Sequence, residues 1–133
     1  MSADLLDRYY AAFNRGDSAA MLELLTDDVV HEPSQSAVRE GKGAFAEFLD
    51  HMNHCYKERV IDPVFLTSPD GQRAAAEFML NGQYLETDSD LPPATGQTYH
   101  LRVGTFFELR DGLIARVSNH YNLADWLAQV KNG

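Results

Sequence analysis

Apolar residues recur at helical spacing early in the chain and at every second position later on. Leu5, Tyr9 and Phe13, with Leu6 and Tyr10 beside them, lay one broad helical face between Asp4 and Asn14. Gly16 suits the position just past that helix. Asp17 suits the cap of a second one, whose buried stripe is Ala20, Met21, Leu24 and Leu25. Thr26-Asp27-Asp28 closes this helical hairpin. Val29-Val30-His31-Glu32 then predicts a short strand, stopped by Pro33, and residues 34–40 a polar loop. Gly41-Lys42-Gly43 opens the clearest helix, with Phe45, Phe48, Leu49, Met52 and Tyr56 at helical spacing. From Glu58 onward the period changes. Strands are predicted over Val60–Thr67, Arg73–Glu86, Gln97–Leu109 and Leu113–Asn122. Ser68-Pro69-Asp70-Gly71 and Arg110-Asp111-Gly112 supply tight turns, and Thr87–Gly96, with Pro92-Pro93, a loop. Leu123, Trp126, Leu127 and Val130 predict a final helix with Asp125 in its first turn.

The order α-α-β-α-β-β-β-β-α, with helices early and strands late, predicts an α+β fold with a mainly antiparallel sheet. Parity then sorts the strand faces. Tyr99, Leu101, Val103, Thr105, Phe107 and Leu109 form an inner set, as do Ala74, Ala76, Phe78, Leu80 and Tyr84. In the last strand the inner set is Leu113, Ala115, Val117, Asn119 and Tyr121, and the outer one holds Arg116, Ser118 and His120 beside Ile114. The inner sets turn polar at one end, where Tyr99, Asn119 and Tyr121 meet. An apolar interior with a few oriented polar groups suits a small-molecule cavity. Phe106 and Ile114, among charges on the outer face, suggest a second copy of the chain as its cover.

The 133 residues suit a single domain, 1–133, able to bury one core. Eleven Lys and Arg stand against 20 Asp and Glu, a formal net charge of −9. So acidic a surface repels phosphate backbones and anionic lipid, which argues against nucleic-acid and membrane partners. Apolar runs are too short to span a bilayer. Met1-Ser2-Ala3-Asp4 lacks the basic start and apolar run of a leader, so a cytoplasmic location is expected. One cysteine, Cys55, excludes an internal disulfide or a cysteine-rich zinc cluster.

Four stretches carry a family resemblance: Arg8-Tyr9-Tyr10-Ala11-Ala12-Phe13-Asn14-Arg15-Gly16-Asp17, then Leu24-Leu25-Thr26-Asp27-Asp28-Val29-Val30, then Phe107 to Ile114, then Tyr121 to Leu127. Together they resemble the steroid Δ-isomerase and SnoaL-like polyketide cyclase group of the nuclear-transport-factor-2-like superfamily, over nearly the whole chain. The resemblance is nearest to the ketosteroid-isomerase-related branch. It implies a cystatin-like cone: a curved sheet wrapped around helices, an internal pocket, and a homodimer through the outer sheet face. It also implies cofactor-free acid–base chemistry on a small apolar oxygenated molecule: isomerisation, cyclisation or dehydration. One cone hosts many reactions, and non-catalytic binders too.

The isomerase chemistry needs a base beside a flat apolar ligand and donors at the enolate oxygen (ketosteroid isomerase is a standard worked case of this tuning). The resemblance places the oxyanion tyrosine at Tyr9. Aligned on the proline, it places the base at Glu32. Aligned without a gap, it puts Pro33 at the base position and leaves His31 on the inward parity. A histidine titrates near the useful pH unaided, whereas Glu32 needs desolvation. The second oxyanion group, an aspartate in the family, falls on Thr105 or Gly104. Neither is an acid, which argues against standard steroid isomerisation. Asn119, Tyr121, Tyr99, Gln35 and Trp126 complete the candidate substrate contacts. No metal is expected. His51 and His54 stand at i, i+3 with no further ligand evident, and Cys55 has no base nearby in sequence.

Overall fold

The structure is a computed structural model describing residues 2–131. Met1, part of the segment read above for a leader, lies outside the described residues. Helix α1 (Ser2–Asn14) and α2 (Ser18–Glu23) precede β1 (Leu25–Glu32) and a short β2 (Arg39–Glu40). Helix α3 (Lys42–Cys55) follows, then β3 (Tyr56–Thr67), β4 (Arg73–Tyr84), β5 (Thr98–Arg110), β6 (Leu113–Tyr121) and α4 (Leu123–Val130).

Local chemistry sets the joints. The Asp17 carboxylate accepts from the Ala20 N–H at 3.0 Å and caps α2. Asn122 caps α4 in the same way, accepting from the Asp125 N–H at 3.1 Å. Asp111 and Gly112 both take positive φ, 53° and 77°, as a two-residue hairpin turn of the primed type requires.

The six strands form one curved sheet in the order β2-β1-β6-β5-β4-β3. All neighbours are antiparallel except β1 and β6, which run parallel. Register shifts interrupt β1 after Leu25, β3 after Ile61, and the β5–β6 pair between Glu108 and Leu109. Such bulges bend a strand and tighten its twist. Helices α1, α3 and α4 pack against the sheet. The core runs from Leu5, Leu6 and Tyr10 through Phe45, Phe78 and Phe107 to Trp126 and Val130.

Four sequence expectations change. Helix α2 ends at Glu23 and β1 already starts at Leu25, not Val29, so Leu25 to Asp28 are strand and not the end of the helical hairpin. Residues 34–40 are not all loop, because Arg39–Glu40 pairs with β1 as strand β2. Strand β3 starts at Tyr56, not Val60. Tyr56 fits both patterns: it continues the α3 stripe and also alternates with Glu58 and Val60. The largest change is Ile114, expected on the outer face but fully buried. Ala115 is an extra residue in β6 with no partner in β5, so Ile114 and Val117 both reach the core despite opposite parity.

Candidate functional site

A cavity of about 1500 Å³ opens between the inner face of the sheet and the helices. Its apolar wall comes from Phe45, Phe48, Leu49 and Met52 on α3, Phe78 and Leu80 on β4, and Leu101 and Val103 on β5. Polar and charged side chains share the lining, many of them toward the open rim, and His31, Glu58 and Asn119 are set among the apolar residues.

Adjacent residues of β1 take opposite sides. Val29 and His31 share the inner parity and are buried. The His31 ring lies 4.3 Å from Phe45 and 4.6 Å from Phe48, centroid to centroid. Its Nδ1 has no hydrogen-bond partner among the described residues. Burial, with the Arg39 charge as a lesser cause, pulls the imidazole down to about 4. His31 is therefore neutral at pH 7. Glu32 turns to the outer face, where its carboxylate meets Arg116 at 2.6 Å. Hydrogen bonds from Ser118 and Arg116 hold it below the usual carboxylate range. Of the two sequence candidates for the base, only His31 lines the cavity.

Tyr9 projects from α1 into the same cavity, its ring edge-on to Tyr10 and Phe107. Burial raises its phenol well above the ordinary value, so the hydroxyl is a donor. Asn119 lines the cavity, but Thr105 does not. The buried Thr105 hydroxyl instead donates to Asn119 Oδ1 at 2.9 Å, so it orients the amide from behind and is not a ligand contact. The Asn119 amide nitrogen has no protein partner among the described residues. Tyr121 and Trp126 line the cavity, and Trp126 packs edge-on against Tyr56, Tyr84 and Tyr99. Gln35 sits on the exposed rim at φ 68°, donating to Ser34 at 3.4 Å.

One group in the cavity was missed in the sequence. Glu58, on β3, lines it and accepts a short hydrogen bond from the Tyr99 hydroxyl. Burial raises the Glu58 carboxyl above its ordinary value, and the Tyr99 bond offsets this only in part. No cation pairs with it among the described residues. Gly82 makes the arrangement possible. It faces Tyr99 across the β4–β5 ladder, and a Cβ there would come within 2.2 Å of the Tyr99 ring. Only a bare backbone lets that ring lie flat across the neighbouring strand. The alternation Tyr56, Glu58, Val60 would have exposed Glu58, had the strand been started at Tyr56.

Comparison with known proteins fits this geometry. The SnoaL-like domain family matches residues 6–117. A solved structure from Pseudomonas putida KT2440, described as a candidate polyketide cyclase, is 52% identical with a TM-score of 0.96, covering 98% of each chain. A second from Silicibacter sp. TM1040, described likewise, is 51% identical with a TM-score of 0.94, covering 97% of this chain and 94% of that one. A nuclear-transport-factor-2-like protein from Burkholderia pseudomallei K96243 shares the fold at 17% identity, with a TM-score of 0.81 over 97% and 96% of the two chains. No curated protein matches the chain. Among the described residues, no helix is long and apolar enough to cross a membrane. The chain belongs to the SnoaL-like domain family.

Proposed function

We propose that this protein is an acid–base enzyme that moves a proton beside a carbonyl or hydroxyl of a small, mostly apolar molecule. Isomerisation, cyclisation and dehydration all fit this chemistry. The observation that carries the reading is Glu58: a desolvated carboxyl on an apolar cavity wall, held by Tyr99 and lacking a cation partner among the described residues. A carboxyl held above its ordinary value is better suited to accepting and returning a proton. In this scheme Glu58 transfers the proton. Tyr9 and the Asn119 amide donate to the substrate oxygen, and neutral His31 offers a further hydrogen bond.

A rival reading, a non-catalytic binding domain, requires the cavity groups to satisfy one another. Among the described residues, Tyr9, His31 and Asn119 form no hydrogen bonds with one another, and His31 Nδ1 has no partner. That favours groups waiting for a ligand. Pairing of two copies through the outer sheet face is also proposed, now on exposed Val64, Leu66 and Phe106 without Ile114. Its check is the molar mass in solution.

The test of the enzyme reading is a thermal-shift screen of steroid-like ketones and polyketide-like β-keto compounds, followed by turnover assays on the binders. Binders that turn over, and that Tyr9→Phe slows with little change in melting temperature, support it. Binders that never turn over in any assay return the protein to the binding class.

A further inference from the structure

Beyond the Tyr9–His31 end of the cavity, three metal-binding side chains converge. His51 and Cys55 lie one turn apart on α3, and Asp88 reaches them from the loop between β4 and β5. His51 Nε2 is 2.8 Å from Asp88 Oδ1 and 3.9 Å from Cys55 Sγ, and the three donor atoms all fall within 4.8 Å of one another. We propose that His51, Cys55 and Asp88 form a binding site for a borderline-soft divalent cation of the zinc type.

The donor set is one nitrogen, one sulfur and one oxygen, each of a kind that zinc accepts. A tetrahedral zinc ion with ordinary bond lengths needs a nitrogen–sulfur separation of about 3.6 Å and a nitrogen–oxygen separation of about 3.3 Å. The observed nitrogen–sulfur and nitrogen–oxygen separations lie within roughly half an ångström of these, and the sulfur and carboxylate oxygen, within 4.8 Å of each other, would close on the ion with small side-chain movements. Both contacts use the same ring nitrogen. A nucleophile–base–acid relay would need the two different nitrogens, so the geometry suits ligation and not a cysteine triad.

The supporting contacts are already in place. The Tyr56 hydroxyl donates to Asp88 Oδ2 at 2.6 Å, and Ser89 to Oδ1 at 3.2 Å. The Asp88 N–H donates to the Tyr84 hydroxyl at 3.0 Å. The Leu85 and Glu86 amides donate to the Cys55 carbonyl at 2.8 Å and 3.3 Å, which ties the loop to the end of α3. Outer contacts of this kind fix the orientation of a ligating carboxylate. His51 is half-exposed, leaving a fourth corner open to water. No local spacing in the sequence announces this cluster, because Asp88 lies 37 residues from His51.

The experiment is a cobalt(II) titration of the whole protein, followed by competition with zinc. One equivalent should bind and produce a near-ultraviolet sulfur-to-cobalt charge-transfer band with visible bands of tetrahedral intensity. Cys55→Ala should abolish the charge-transfer band. His51→Ala and Asp88→Asn should weaken binding by at least about tenfold, while His54→Ala leaves it unchanged. Cys55 is buried, so in the unmutated protein zinc should be read by a concentration-dependent rise in melting temperature, a readout that does not depend on any variant folding. Cobalt binding without the sulfur band, or zinc that leaves the melting temperature unchanged, overturns the proposal.

Discussion

His31 and Glu32 leave the same strand in opposite directions and meet opposite surroundings. On the outer face Glu32 finds Arg116, which also meets Glu108 at 2.6 Å, and Arg102 pairs with Glu77 at 2.8 Å. Charges there are matched and wet, and Glu32 is easier to ionise than usual. On the inner face His31 is buried and Glu58 partly so, neither has a counter-charge paired with it among the described residues, and both are pushed toward their neutral forms. The teaching is that residue type alone does not mark an acid–base group. A glutamate with a cation beside it is part of the surface. One facing an aromatic wall, with a phenol as its partner, is chemically poised.

The sharpest way to break this comparison is to remove each carboxylate in turn. Once a substrate is found, Glu58→Gln should lower kcat by roughly 10²–10⁴-fold, while Glu32→Gln changes it less than about threefold because that residue faces outward. Equal losses in kcat would erase the distinction between the faces.

The next effect is on stability against pH. His31 sits near 4 in the folded chain against an ordinary 6.5, so the unfolded chain binds more protons between those values. The stability it contributes is present above pH 6.5 and is lost as pH falls toward 4, by about 3 kcal/mol at most. His31→Phe should lack that slope in denaturant melts taken across this window. Glu58 works in the other direction: its raised value gives stability that is present below 4.5 and lost as pH rises through the folded value.

Smaller again is Gly82→Ala. The added methyl meets the Tyr99 ring, so the ring must move, at a cost of about 1–3 kcal/mol. The same movement should loosen the Tyr99–Glu58 bond and reduce turnover. Smallest is the outer ion pair. Glu32→Gln should cost less than about 1 kcal/mol, and that cost should shrink with added salt. Urea titrations at two ionic strengths check both.

The inner face was readable wherever a strand ran without interruption. The alternation in β5 puts Tyr99, Leu101, Val103, Thr105 and Phe107 inside, and all five are buried. The capping residues Asp17 and Asn122 and the Asp111-Gly112 turn each act through neighbours in sequence, so Asp17 and the turn were visible in advance. Parity failed at Ile114, since a bulge changes the count without changing the residue pattern. The site was less legible. Tyr9, His31 and Asn119 line the cavity, but Thr105 stands one layer behind it. Glu58 was hidden by Tyr56, which satisfies a helical and a strand period at once. Asp88 reaches His51 only through the closing of a long loop, and loop closure leaves no periodic trace.

The central claim is that Glu58 is a desolvated carboxyl poised for proton transfer. It is tested most directly by following the carboxyl signal of Glu58 with pH by carbon NMR, assigned by its loss in Glu58→Gln. The account predicts a midpoint above the ordinary 4.5. A midpoint at or below 4.5 would contradict it.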